Sequence, residues 1–136
     1  MRRRLYHKSK SRRAVAVVEL AVMLPVFVLI LLATIEACTM TFLQQTLKIA
    51  AHEGARAAVV PGSDPSKVQN TVNAFLSFRN IQGATVTITP SNYPASAYGT
   101  LIQVDVSAPC NANSVFAPFF YSGKTLTGTV IMMKET

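Results

Sequence analysis

An apolar stretch near the beginning of this chain, over residues 14–35, constrains its fold more than any other feature. Its 22 residues contain one charged side chain, Glu19, and one proline, Pro25. A helix of this length extends about 33 Å, enough to cross a hydrocarbon core that is ~30 Å thick. The stretch therefore predicts a transmembrane helix. A cleaved secretory signal has a shorter apolar core and a small-residue cleavage site, so we favour a retained anchor.

The positive charge of the chain is concentrated before this stretch. The formal net charge is +7, and seven of the 13 Lys and Arg residues precede position 14: Arg2, Arg3, Arg4, Lys8, Lys10, Arg12 and Arg13. The other six balance the six acidic residues, so the rest of the chain is neutral. A basic N-terminal flank predicts a cytoplasmic N-terminus and an exported remainder. Orientation explains the basic arm more simply than nucleic-acid binding, so no nucleic-acid partner is expected.

Glu19 has two interpretations on the sequence alone. An acid at membrane depth costs roughly 2.5–3.5 kcal/mol at the bilayer centre, which makes it a functional candidate. However, Glu19 follows Arg13 by only about 9 Å along a helix, so it could instead reach the headgroups or pair with Arg12 or Arg13.

The helix is predicted to continue beyond the membrane, from about Ala14 to Val59, because no proline intervenes before Pro61. Small residues at Ala50, Gly54 and Ala58 share one face, which allows a close backbone approach. This face could pack under the protein's own sheet, which we favour, or against another subunit.

The remaining residues predict a short helix and three strands. Asp64 and Pro65 form a helix start, and the helix runs to about Phe78 with a buried face of Val68, Val72, Phe75 and Leu76. Alternating apolar and polar residues then predict strands around Val86, Val104 and Val130. The predicted fold class is α+β: a long N-terminal transmembrane helix that continues into a small domain with a short helix and a three-stranded antiparallel sheet, in a pilin-like style.

Two segments resemble one protein family. The segment RRAVAVVELAVMLP over residues 12–25 and the alanine-rich segment AAHEGARAA over residues 50–58 are similar to the TadE-like family. Its members are pseudopilins, or minor pilins, of bacterial tight-adherence (Flp-type) pilus or secretion systems. The resemblance implies as partners a prepilin peptidase, other pilin and pseudopilin subunits, tight-adherence assembly proteins and membrane lipid.

The resemblance also implies where the chain is processed. The cut is expected between Ala14 and Val15, on the cytoplasmic side, which makes Glu19 the fifth residue of the mature chain. The family has glycine where this chain has Ala14. Removing the basic arm would expose an amine at Val15, and Glu19 would then pair with the amine of a neighbouring subunit and set the register of assembly.

These expectations divide the chain into three parts. Residues 1–14 form a basic cytoplasmic leader, residues 15–36 a transmembrane helix, and residues 37–136 an extracytoplasmic α+β domain that packs on the helix extension. The expected location is the bacterial inner membrane, with a single span and with incorporation into a surface pilus as a further option.

Two cysteines, Cys38 and Cys110, lie on the expected exported side, where disulfides persist. Spacing alone does not decide between a bridge and two separate thiols. Residues 35–38 also vaguely resemble a lipobox, which would make Cys38 the acylated residue of a membrane-anchored or lipidated binding protein unrelated to pili. Glu36 beside the cut and Glu19 within the apolar stretch disfavour this alternative.

No catalytic or cofactor motif is found in the sequence, so we expect neither an enzyme nor a cofactor or metal. His52 and Glu53 have no second histidine nearby, because His7 lies on the other side of the expected membrane span. Four aromatic residues near the C-terminus form a dense cluster, most of which is expected to pack in the core or as a lid over it rather than form a subunit or surface contact: Phe116, Phe119, Phe120 and Tyr121.

Overall fold

The computed structural model describes residues 8–135, and side chains over residues 14–135. Its elements in chain order are α1 (Lys8–Val59), α2 (Pro65–Phe78), β1 (Thr85–Thr89), a 3-10 turn (Tyr93–Ala95), β2 (Leu101–Pro109) and β3 (Thr125–Met133). A long apolar helix, a short helix and an antiparallel sheet confirm the predicted α+β fold class.

Helix α1 begins at Lys8, six residues before the predicted start at Ala14. Residues 8–13 contain only Lys, Ser and Arg, which are compatible with a helix but carry no apolar periodicity that would predict one. Pro25 lies inside the helix without ending it.

The chain divides into two compact units, of which the first ends at Ile35 and the second begins at Glu36. In the first unit every side chain from Ala14 to Leu32 is exposed, and most of these side chains are apolar. Among the described residues, α1 is the one helix that is long and apolar enough to cross a membrane. By length and composition, this unit is therefore suited to anchor the chain in a membrane.

The second unit is the domain, which begins with the last 24 residues of α1 (Glu36–Val59). One stripe of this helical segment is buried: Met40, Leu43, Leu47, Ala50, Ala51, Gly54, Ala55, Ala58 and Val59. The side chains of Gln45, Lys48, His52 and Arg56 are exposed on the opposite side. An apolar stripe of this width is typical of a helix that packs on one face.

Helix α2 begins as the sequence predicts. Asp64 accepts a hydrogen bond from the Ser66 amide, and Pro65 occupies the first turn, where its missing N–H costs nothing. The helix buries Val68, Val72 and Leu76. Phe75 is only half-buried, so the buried face in the structure has one residue fewer than the predicted face.

The sheet has the order β1-β2-β3, with both neighbouring pairs antiparallel. The central strand β2 alternates strictly, and its inward residues are fully buried: Ile102, Val104, Val106 and Ala108. The other face of the sheet is rich in threonine, and it carries exposed apolar residues at one end, Leu101, Ile131 and Met133. There the Asp105 carboxylate accepts hydrogen bonds from Gln103 and Thr129.

Two glycines set how closely the layers of the domain approach one another. A Cβ added at Gly54 would lie 2.7 Å from Val72 Cγ2 and 3.2 Å from Val104 Cγ1. A Cβ added at Gly128 would lie 2.5 Å from the Lys48 amide nitrogen and 2.6 Å from the Leu47 carbonyl oxygen. Strand β3 therefore rests directly on the backbone of α1 at Gly128.

Candidate functional site

Glu19 lies on α1 with its side chain exposed. It is the only charged residue between positions 14 and 35. Among the side chains of residues 14–135, none forms a hydrogen bond or an ion pair with its carboxylate. Within this described part of the chain, Glu19 is thus an acid without a side-chain partner on an apolar, exposed helix surface. The predicted alternative partners Arg12 and Arg13 lie outside the residues whose side chains are described.

Ala14 and Val15 also lie in α1, and both side chains are exposed. Val15 and Glu19 are four residues apart, so they share one helix face about 6 Å apart along the axis. An amine created at Val15 would therefore lie on the same face as the Glu19 carboxylate.

The small-residue face of α1 points into the domain. Ala50 and Ala58 are fully buried, and Gly54 contacts the side chains of Val72 and Val104. In this fold the face is occupied by α2 and β2 of the same chain. Its role in the described structure is internal packing.

Both cysteines are free thiols in the structure. Cys38 is exposed on α1, whereas Cys110 is buried directly after β2. Burial raises the pKa of the Cys110 thiol, and the nearby Lys124 cation partly opposes this increase.

Glu36, the first residue of the domain, forms hydrogen bonds with a loop that is distant in the sequence. Its Oε1 accepts hydrogen bonds from the backbone N–H groups of Phe120, at 2.9 Å, and Tyr121, at 2.8 Å. A carboxylate that accepts two amide hydrogen bonds fixes the backbone between them. The sequence analysis did not assign this role to Glu36, and the only available signal was an acid that directly follows the apolar stretch.

The loop held by Glu36 contains the aromatic cluster, and its placement corrects the sequence-based expectation. Phe116, Phe119 and Phe120 are exposed, and only Tyr121 packs against the core. The expectation that most of the cluster packs inside the domain was wrong. Most of the rings lie outside because the core is already filled by α1, α2 and the inner face of the sheet.

Asparagine side chains fix the rest of this loop. Asn113 accepts a hydrogen bond from the Gln82 amide and donates to the carbonyls of Gln82 and Pro109, with distances of 2.8–2.9 Å. Asn111 Oδ1 accepts a hydrogen bond from the Gly123 amide at 2.9 Å. These hydrogen bonds give the loop a defined backbone conformation, which holds its phenylalanines in defined positions.

The other end of the domain contains a buried lysine that the sequence analysis missed. Lys134 Nζ donates hydrogen bonds to the carbonyls of Tyr93, Pro94 and Ser96 at 2.8–3.0 Å. Tyr93 is fully buried although the sequence predicts a loop there, and this burial raises the pKa of its phenol. Hydrogen bonds to three carbonyl oxygens compensate for the burial of the lysine ammonium group, so its role is structural.

Among the described residues, no group of three or more His, Cys, Asp or Glu side chains is arranged to hold a metal ion. His52 is exposed, and its neighbour Glu53 is half-exposed on the same helix. The features with the clearest chemistry are therefore the acid within the apolar helix and the phenylalanine loop held by Glu36.

Comparison with known proteins identifies the N-terminal part of the chain. Residues 14–56 match the family model described as TadE-like protein. The match begins at the predicted processing site, includes Glu19, and ends within the alanine-rich segment, which confirms the resemblance seen in the sequence. No curated protein and no solved structure matches the chain.

Proposed function

Because this chain is TadE-like over residues 14–56, we propose that it is a pseudopilin, or minor pilin, that takes part in the assembly of a tight-adherence pilus or secretion system. Its role is structural: it acts through contacts with other subunits and carries out no chemistry. Its partners are a prepilin peptidase, other pilin subunits, the assembly proteins and membrane lipid. The chain crosses the inner membrane once, with a cytoplasmic N-terminus and an extracytoplasmic domain.

The observation that carries this proposal is the single acid Glu19 on the exposed apolar part of α1, with no partner among the described side chains. A carboxylate in hydrocarbon costs roughly 2.5–3.5 kcal/mol near the bilayer centre, so it needs a partner. Among the described side chains there is none within the protein. A partner from another subunit would remove this cost.

Processing between Ala14 and Val15 would supply that partner. The cut removes all seven basic residues of the N-terminal arm and leaves a free amine at Val15. Opposite charges attract strongly in a medium of low dielectric constant, and two subunits that pair Glu19 with this amine are fixed in one register. The same pairing favours assembly over a monomer dispersed in lipid.

The first experiment determines the mature N-terminus. The chain is expressed with a prepilin peptidase, and intact-mass spectrometry of the membrane fraction is expected to find a chain that begins at Val15. Ala14→Gly, which restores the residue typical of the family, should be cut at least as completely, and Ala14→Arg should block cleavage. A chain that still begins at Met1 contradicts the processing step.

The second experiment tests Glu19 in assembly. Glu19→Gln keeps the shape of the side chain and removes its charge, so we expect normal insertion and cleavage but a loss of subunit cross-linking in the membrane. Glu53→Gln, on the same helix in the domain, is the matched control and should cross-link like the wild type. Equal cross-linking of Glu19→Gln and wild type contradicts the register role.

The lipidated-protein alternative has a distinct outcome in the same mass measurement. Cleavage before Cys38 would remove Glu36, whose carboxylate holds the amides of Phe120 and Tyr121. This loss disfavours lipidation. An acylated Cys38 as the first residue would overturn the pilin proposal.

A further inference from the structure

Exposed phenylalanines collect at one end of the domain. Of its six phenylalanines, only Phe75 is half-buried. Phe119 is 83% exposed and Phe78 is 82% exposed, whereas Phe116 and Phe120 are exposed by 60% and 57%. The rings of Phe119 and Phe120 contact each other edge to face, with centroids 5.1 Å apart. We name Phe78, Phe116, Phe119 and Phe120 the proximal phenylalanine patch.

The patch lies at the end of the domain that begins with Glu36. Glu36 Oε1 accepts hydrogen bonds from the backbone amides of Phe120 and Tyr121, so this loop lies within one side-chain length of the first domain residue. Glu36 directly follows Ile35, the last residue of the apolar stretch. The loop is therefore bonded to the domain residue that directly follows the apolar stretch.

The end of α2 is fixed at the same place. Asn113 of the loop bonds both the amide and the carbonyl of Gln82. A shallow groove next to this contact is lined by Phe42 of α1, by Arg79 and Ile81 from the residues after α2, and by Val115 of the loop. Phe78 precedes Arg79, so it belongs to the same end as the loop.

We propose that the proximal phenylalanine patch lies in the membrane–water interface and binds lipid, which gives the domain a second attachment besides its helix. The polar layer on each side of the hydrocarbon core is about 5–7 Å deep, and a residue adjacent to Ile35 falls within it when residues 14–35 span the core. Rings exposed at this depth gain free energy by entering the boundary between headgroups and acyl chains.

The charges around the patch suit a lipid surface. Lys124 Nζ lies 5.2 Å from the centre of the Tyr121 ring, and the Arg79 guanidinium lies 5.6 Å from that of Phe75. Arg79 directly follows Phe78 and Lys124 follows Phe120 by four residues, so both cations belong to the segments that carry the patch. The acid at this end, Glu36, is already bonded to two amides. Basic and aromatic residues in this combination are typical of segments that bind anionic membranes.

The opposite end of the domain offers a matched comparison. Tyr98, which is 68% exposed, lies next to Gly99, whose amide bonds the carbonyl of Lys134. The amide of Glu135 in turn bonds the carbonyl of Val59, the last residue of α1. Val59 lies about 35 Å along the helix from Glu36. Tyr98 therefore carries an exposed aromatic ring at the end of the domain opposite Glu36.

The inference rests on the membrane span alone and not on assembly into a pilus, so the test uses the unprocessed full chain without other subunits. The chain contains no tryptophan, which makes a single introduced tryptophan a specific reporter. Phe119→Trp reports on the patch, Tyr98→Trp on the opposite end, and Phe27→Trp on the span. Each variant is reconstituted into vesicles of phosphatidylcholine and phosphatidylglycerol that carry bromine atoms near the top of the acyl chains.

We expect bromine to quench Phe119→Trp several-fold more strongly than Tyr98→Trp, and to quench Phe27→Trp as well. Phe116→Trp is a second reporter in the patch, so that misfolding of one variant does not decide the result. Equal, weak quenching of Phe119→Trp and Tyr98→Trp beside a quenched Phe27→Trp would overturn the inference. An unquenched Phe27→Trp would overturn it together with the membrane span.

A second copy of the chain is the competing occupant of the patch. In that case the Phe119→Trp emission would be insensitive to bromine and would shift to longer wavelength when the vesicles are diluted with excess lipid. That outcome would also overturn lipid binding. Failure of the pilin proposal, by contrast, is read from the mature N-terminus and from cross-linking, and it leaves these vesicle measurements unchanged.

Discussion

The two parts of helix α1, before and after Glu36, are built for different surroundings. Before it, the side chains from Ala14 to Leu32 are all exposed, and all of them except Glu19 are apolar. After it, most apolar residues lie in one stripe that α2 and the sheet cover, and Phe42 and Ile49 are exposed outside this stripe. Hydrophobicity around a whole helix requires an apolar solvent, whereas a stripe requires only a partner on one side. One continuous helix thus combines a lipid-facing half and a protein-facing half.

The largest expected effect comes from a pair of variants that make the same substitution, Leu to Ala, once in each half of α1. Leu47→Ala, at a fully buried position, should lower the free energy of unfolding of the domain by about 2–5 kcal/mol. Leu29→Ala, at a position that is 66% exposed, should leave it unchanged. Urea unfolding in mild detergent, followed by near-ultraviolet circular dichroism, measures both. Similar losses for the two variants would contradict the division of the helix.

A second pair of variants tests how closely the sheet rests on the protein-facing half. Gly128→Ala places a methyl group against the backbone of Leu47 and Lys48, which cannot rotate away, so a loss of about 1–3 kcal/mol is expected. Gly54→Ala meets the Val72 side chain instead, and alanine favours a helix over glycine by about 1 kcal/mol. Its net loss should be smaller. The reverse order, in the same unfolding assay, would show that the contact at Gly128 is not tight.

A third variant tests the junction between the halves. Glu36→Ala removes the acceptor of two backbone amides, so the stability of the domain should fall by about 1 kcal/mol. Hydrogen exchange at the amides of Phe120 and Tyr121 should accelerate at the same time. Glu36→Gln retains an acceptor oxygen and should lie between the wild type and Glu36→Ala. Unchanged exchange in Glu36→Ala would contradict the role of this side chain.

The smallest expected effect depends on pH and on Cys110. Burial raises the pKa of its thiol in the folded chain, so the unfolded chain loses this proton first as the pH rises. The associated stability is complete below the unfolded thiol's pKa of about 8.5 and is lost as the pH rises through the folded value. Cys110→Ala should reduce this dependence, whereas Cys38→Ala, at the exposed cysteine, should not. If the stability of the two variants depends equally on pH, the assignment of this dependence to Cys110 is wrong.

The sequence predicts those parts of the molecule that leave a local pattern. The apolar stretch, the Asp64–Pro65 helix start and the alternation around Val104 are each visible within a few residues, because helix and strand periods repeat locally. The same holds for Glu19, which is identified because a single charge stands in an apolar stretch. The α+β class followed from these elements.

Contacts between distant residues leave no such pattern. Glu36 and the amide of Tyr121 lie 85 positions apart, and a lone acid at position 36 gives no indication of its partner. The burial of Tyr93 depends in the same way on Lys134, which lies 41 positions later and holds the turn from inside. The aromatic cluster was misjudged because composition predicts apolar character but does not tell whether the core has space for it.

The contact between Gly128 and Leu47 has a consequence for the order in which the molecule can fold. Strand β3 is synthesised after α2, β1 and β2, yet it covers α1, which precedes all of them. The apolar stripe of α1 therefore stays uncovered while α2, β1 and β2 emerge, and the domain closes only after translation has passed Met133. Contacts between such distant segments slow folding and leave apolar surface open to aggregation. A nascent chain of this design depends on protection of that stripe until its final strand arrives.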